Sequence, residues 1–287
     1  MAEPGGQTTF LRAAPALPGM VASVVGYHST GRTPGVHRGL PSPYLTFILS
    51  LDEPITTGRS PEHLASTAAH CNDVLVAGLH SAPAYVHQPV HEAGIQVAVH
   101  PLAAPALFGV PARELDLLTI EGADLLGPAV DHLRERLLEE PDWQRRFALL
   151  EAYLRCRAQR AETAVRPELT EAWRWLARRR GAGTVGGLAE HVALSERQLR
   201  TLFDRELGLG PKGVARLMRF QHASAQIAAG VRTGQEQSLA QVAQQCGYYD
   251  QPHLVREFHD LAGIAPSGWV AEERRNIQAG GHRNGPE

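Results

Sequence analysis

The sequence predicts an α+β chain: a β-rich N-terminal domain, barrel or sandwich, with trailing helices, then an all-α domain of two helix-turn-helix units joined by a long helix. Three observations carry this reading. Between residues 20 and 100, short runs rich in β-branched and aromatic residues alternate with Gly, Pro and Asp turn clusters. Beyond Pro101 the apolar residues recur at helical spacing. Finally, the pattern Leu199, Phe203, Gly208, Pro211 returns fifty-five residues later as Leu254, Phe258, Gly263, Pro266, with the same internal spacings of 4, 5 and 3.

Met20–Tyr27, Tyr44–Leu51, Asp73–Leu79, Pro83–His87 and Gly94–Val99 read as strands. Residues 1–20, rich in Gly, Pro and Ala, read as a flexible arm. Ala103–Phe108 and Ala112–Leu115 read as short helices on either side of Gly109-Val110-Pro111. Longer helices are predicted over Asp124–Leu138 and Trp143–Gln159, closing a β-rich domain at 21–160. A linker follows at 161–167, because Pro167 disfavours helix at Arg166. The helical domain then occupies 168–276, with a flexible tail at 277–287.

Charge is divided along the chain. Residues 1–165 carry 12 Arg against 17 acidic residues, whereas 166–276 carry 15 Lys and Arg against 12 acidic residues. A mildly basic back half permits contact with a polyanion without requiring it. The three cysteines are odd in number and scattered, which argues against a disulfide framework and for a reducing, cytoplasmic setting. No signal peptide is legible at the N-terminus, and no run reaches the ~20 apolar residues of a membrane span.

Each copy of the repeat has the same parts. A short helix, Val185–Val192 or Leu239–Cys246, enters a tight connection and then a second helix. Ser195 with Gln198 forms a capping box for the first of these second helices, and Asp250 caps the other. Gly208 and Gly263 end them, and Pro211 and Pro266 each open the next helix. At 100° per residue, Leu199, Leu202 and Phe203 fall on one side, with Arg197, Thr201 and Asp204 opposite and Arg200 on the flank. In the second copy Leu254, Phe258 and Leu261 face inward, Pro252, Arg256 and His259 outward, and Val255 flanks them. A helix that buries one stripe and aims arginine from the other suits a major groove, where Arg reads guanine bidentately. The intervening helix, Pro211–Ala229, spans roughly 28 Å, near the ~34 Å between successive groove faces.

Cys246-Gly-Tyr-Tyr-Asp-Gln-Pro-His-Leu-Val-Arg-Glu-Phe-His-Asp-Leu-Ala-Gly-Ile-Ala-Pro266 resembles the second helix-turn-helix of the AraC/XylS family, with Gly247, Asp250, Leu254, Arg256, Phe258, Gly263 and Pro266 at the family's positions. The first unit, Leu188–Pro211, fits less strictly, and the likeness covers about residues 168–275. The resemblance implies a sequence-specific regulator of transcription that binds double-stranded DNA, commonly an activator that contacts RNA polymerase. By motif position, Arg197, Arg200 and Thr201 would read bases from the first unit, and Gln251, Val255 and Arg256 from the second. Pro252 and Val255 depart from a donor-rich pattern, leaving the second unit to Arg256, Gln251 and apolar contact with thymine methyls. Lys212, at the start of the linking helix, is a phosphate contact or an ordinary surface residue. Val36-His-Arg-Gly-Leu-Pro-Ser42 and the stretch Pro101 to Pro111 are similar to the β-rich sensor regions of some family members, which implies small-molecule effector binding or homodimerisation.

The alternative is a cupin-like metalloenzyme whose histidines hold the metal, the helical domain being an appendage. His28, His37, His80, His87, His91 and His100 prompt it. Against it, Pro89 stands between His87 and His91, and no carboxylate joins them at a recognisable ligand spacing. No Ser/His/Asp set, paired carboxylates or glycine-rich phosphate loop marks a catalytic centre, so no enzyme, cofactor or metal is expected. Cys71 and Cys246 read as small buried side chains.

Overall fold

The computed structural model describes residues 7–15, 17–115, 119–161 and 165–278. Two antiparallel sheets, not closed into a barrel, form the N-terminal region. The larger runs in the order β1 (Gln7–Ala13), β2 (Val21–Thr30), β9 (Glu92–Val99), β4 (Leu45–Ser50), β7 (Val74–Ala77), β10 (Ile120–Glu121). The smaller is β3 (Gly35–Gly39), β8 (Ala84–Gln88), β5 (Ile55–Gly58), β6 (His70–Asn72), with the one-turn helix α1 (Pro61–Leu64) following β5.

Register explains where the core lies. Leu45, Phe47 and Leu49 of β4 stand opposite Val99, Val97 and Ile95 of β9, and all six are fully buried. Because side chains alternate along a strand, this pairing gives the sheet one wholly apolar face. Helices cover it: Phe108 meets Phe47 edge-on at 5.8 Å, at the end of α2 (Ala104–Phe108). After α3 (Gly122–Leu126) and α4 (Pro128–Glu139), α5 (Trp143–Arg160) lays Phe147, Leu150 and Leu154 inward.

Seven helices follow in the C-terminal domain: α6 (Pro167–Arg178), α7 (Val185–His191), α8 (Glu196–Leu207), α9 (Pro211–Thr233), α10 (Leu239–Gln245), α11 (Gln251–Ala262) and α12 (Pro266–Gln278). Two cores result. One runs without a break from the large sheet through α2–α5 into α6, α7 and α8. The other is formed by the later part of α9 with α10, α11 and Trp269 of α12.

Several expectations are corrected. Residues 1–20 contain a strand, since Gln7–Ala13 pairs with Thr30–Val24 along its full length. An edge strand beside a Gly/Pro-rich stretch carries little local signal, and its order comes from its partner. The helix expected over 124–138 is two helices, broken where Gly127 takes φ 71° and Pro128 starts a new turn. Strands β3, β5, β6 and β10 were not predicted. The helix opened by Pro211 runs on to Thr233, so its 23 residues span about 34 Å rather than roughly 28 Å. Of the linker expected at 161–167, residues 162–164 lie outside the described residues, as does the tail from 279 onward. Cys246 is buried, but Cys71 is exposed.

Candidate nucleic-acid interface

The two outward helices α8 and α11 are built by the same local chemistry. Ser195 accepts the Gln198 N–H while the Gln198 side chain accepts from the Ser195 N–H, closing a reciprocal cap. Asp250 accepts the His253 N–H at 2.7 Å. Each helix is twelve residues long and stops at a left-handed glycine, Gly208 (φ 74°) or Gly263 (φ 66°). The inward stripes are Leu199, Leu202, Phe203 and Leu207 on α8, and Leu254, Glu257, Phe258, Leu261 and Ala262 on α11. Phe258 is held edge-on to Phe220 at 5.0 Å and beside Trp269 at 5.4 Å. Such pairs fix how far the outward face of α11 stands from the core.

On α8, Arg197, Arg200 and Thr201 are exposed, and the Thr201 hydroxyl donates to the Arg197 carbonyl at 3.0 Å. On α11, Gln251 and Arg256 are exposed and Val255 is half-buried. Val255 and Arg256 line a shallow cavity of about 460 Å³ together with Arg216, His253, His259 and Asp260. Gln251 lies one turn earlier on the same helix, whereas the α8 set belongs to the other helix pair. Lys212 is exposed in the first turn of α9. Arg197, Arg200, Lys212 and Arg256 are exposed cations that make no ion pair among the described residues. By contrast Arg174 and Arg178 pair with Glu171, and Arg205 with Glu206.

Three features of the site escaped the sequence reading. Glu257, on the inward side of α11 and only 6% exposed, accepts from Arg216 Nε at 3.1 Å and Arg219 Nη2 at 2.9 Å, both on α9. Arg216 also reaches Asp260 at 2.8 Å. The wheel that placed Leu254, Phe258 and Leu261 inward puts Glu257 about 60° from Leu254, on the edge of that side, so a carboxylate flanking the apolar stripe was the available signal. Second, Arg38 of β3 holds Glu272 of α12 through two nitrogens, at 3.1 and 3.2 Å, and donates to the Tyr85 hydroxyl and to the Ala262 carbonyl at the end of α11. This gives the Val36–Ser42 stretch a structural role between the β region and the second helix pair. Third, the end of α8 abuts the β region as well: a Cβ on Gly208 would stand 3.2 Å from the Arg113 Cα.

His100, at the end of β9, is pressed edge-on between Trp173 of α6 (4.8 Å) and Tyr44 (5.9 Å). Burial lowers its pKa to about 4, so the ring is neutral near pH 7. His37 is likewise lowered to about 4, by burial first and then by Arg32 and Arg38. Among the described residues, no group of three or more His, Cys, Asp or Glu side chains is arranged to hold a metal ion. Nor is any helix there long and apolar enough to cross a membrane.

A family model described as a helix-turn-helix domain matches residues 188–272. No curated protein matches the chain. Among solved structures the chain is similar to ToxT from Vibrio cholerae O395, at 9% identity and a TM-score of 0.47, covering 94% of this chain and 98% of that one. It is also similar to the C-terminal domain of AraT, a response regulator from Geobacillus stearothermophilus: 20% identity, TM-score 0.33, 39% of this chain and 88% of that one. For XylR, a xylose-binding transcription activator, identity is 15% and the TM-score 0.32, over 40% of this chain and 30% of that one.

Proposed function

We propose that the chain is a sequence-specific transcription regulator of the AraC/XylS type that reads two successive major-groove segments with α8 and α11, a reading supported by the match of residues 188–272 to a helix-turn-helix domain model. The observation that supports it best is the repeated helix pair, each copy offering an outward face with unpaired arginine: Arg197 and Arg200 on α8, Arg256 on α11. An unpaired guanidinium on a capped, rigid helix keeps its planar fork free for O6 and N7 of guanine. Thr201, Gln251 and Val255 add a weaker donor set and a methyl contact, and Lys212 takes a phosphate. The linking helix, at about 34 Å, matches the repeat of the duplex.

The β-rich region serves as the effector-binding part, and the direct contacts of Arg38 with α11 and α12 give its state a route to the second reading helix. The regulator acts as a cytoplasmic activator that contacts RNA polymerase and works singly or as a homodimer. The test is selection of duplexes from a random pool by the full-length chain, followed by binding at fixed salt. Arg256→Ala is expected to relax selectivity at one base pair and weaken the selected duplex by ~1–3 kcal/mol. Lys212→Ala is expected to weaken all duplexes alike and to reduce the salt slope by about 1. An Arg256→Ala profile identical to wild type would remove α11 from base reading.

A further inference from the structure

The two helix pairs are copies, and superposing their hydrogen bonds isolates one residue that has no counterpart. In the first pair α7 ends at a left-handed residue, Ala193 (φ 55°), and the next residue, Leu194, donates its N–H to the Ala189 carbonyl at 2.9 Å. The helix cap, Ser195, follows at once. In the second pair α10 ends at Gly247 (φ 75°), and Tyr248 donates its N–H to the Ala243 carbonyl, again at 2.9 Å. The cap, Asp250, comes one residue later. Tyr249 is therefore the insertion that separates the two units.

Its side chain needs an explanation. Tyr248 beside it is 5% exposed and packs edge-on against His253 at 5.3 Å, whereas Tyr249 is 93% exposed. Capping does not require the extra residue, since Ser195 caps α8 without one. The Tyr249 N–H is directed to His253 Nδ1 at 3.4 Å, and among the described residues neither its ring nor its hydroxyl has a partner. With Tyr248 locked inward and Asp250 engaged by its cap, the intervening side chain is held out into solvent at the N-terminal end of α11. A large amphipathic ring so placed gains by being covered, and its hydroxyl offers a donor that water alone fills. The first residues of a reading helix contact base edges, while tyrosine side chains and helix N-termini also supply phosphate contacts, and Tyr249 stands just before the first turn of α11.

We propose that Tyr249 is a backbone contact specific to the second unit: its hydroxyl donates to a phosphate oxygen of duplex DNA, its ring lying over the adjoining sugar. The contact rests on α11 acting as a reading helix. It sets the depth and tilt of α11 without reading sequence, which suits a helix whose outward face carries Pro252 and Val255 in place of donors.

The experiment measures binding of full-length wild type, Tyr249→Phe, Tyr249→Ala and Arg256→Ala to the duplex that wild type selects from a random pool, and to single-base variants of it, across a salt series. Tyr249→Phe is expected to bind about ten- to a hundredfold more weakly, the loss of one hydrogen bond to a charged group, and Tyr249→Ala more weakly still. Both should keep the wild-type ranking of base variants and the wild-type salt slope, because a neutral hydroxyl displaces no counterion. Wild-type affinity in Tyr249→Phe overturns the contact, and so does altered base ranking. If wild type selects no duplex at all, the DNA-reading function itself falls. Weakened binding by Arg256→Ala with unchanged binding by Tyr249→Phe removes the Tyr249 contact alone.

Discussion

Replacing Glu257 by Gln tests whether α11 is aimed by charge as well as by apolar packing. The carboxylate is 6% exposed and accepts from two arginines of α9. Breaking a buried ion pair by removing one partner costs ~3–5 kcal/mol, because the remaining charge is left without compensation. Here the two cations fare differently. Arg216 is 33% exposed and keeps Asp260, so it loses little. Arg219 is 19% exposed, its Nε already lacks a partner, and it sits over the Tyr248 ring at 5.1 Å. One stranded guanidinium in a partly wetted place gives an expected loss of about 2–3 kcal/mol. Hydrogen exchange of the full-length chain, read on peptides covering α9 and α11, should show amides of the second core exchanging about thirty- to a hundredfold faster. Peptides from the large sheet and α8, which belong to the other core, should be unchanged. Acceleration of less than threefold in α11 would refute the claim that this carboxylate positions the helix.

Two further outcomes are expected. His100 folds neutral with its pKa lowered to about 4 from 6.5, so the unfolded chain takes up a proton that the folded chain refuses. Its contribution is absent above about pH 6.5 and costs up to about 3 kcal/mol as pH falls to 4. His37 behaves alike, and thermal melts between pH 7 and 5 should steepen for wild type and flatten in part for His100→Phe; an equally steep profile in that variant would show that His100 is not one of the titrating groups. Arg38→Ala removes two charge-assisted bonds to Glu272 and one to the Ala262 carbonyl, and is expected to cost about 1–3 kcal/mol, seen as faster exchange at the α11–α12 corner. No change there would mean that the β region does not brace this corner.

What could be read from the sequence was what is written locally. The Ser195–Gln198 box, the Asp250 cap and the two stop glycines are short-range devices, and the spacing of Leu199, Phe203, Leu254 and Phe258 gave the inward stripes. A second box, Ser238 with Gln241, is just as local and caps α10 in the same way. The strands were found in β2, β4, β7, β8 and β9, where apolar residues are dense, and missed in β1, β3, β5, β6 and β10, where pairing supplies the order. Arg38 and Glu272 are 234 positions apart, so nothing in either neighbourhood announces their bond. Glu257 shows an intermediate case: its inward position is legible on the helical wheel, but its partners lie 38 and 41 residues earlier.

The helix α9 serves two cores. Val214 and Met218 lie within about 40° of each other and join the first, while the second takes Leu217, Phe220, Ala223, Ile227 and Ala228, of which Phe220, Ala223 and Ile227 fall roughly 120–180° away from the first pair. It is thus an indexed shaft, keyed at each end to a different wheel. Adding a single residue between Met218 and Phe220 would advance the distal wheel by only ~1.5 Å but turn it by ~100°. The phase between the two helix pairs is consequently stored as a residue count.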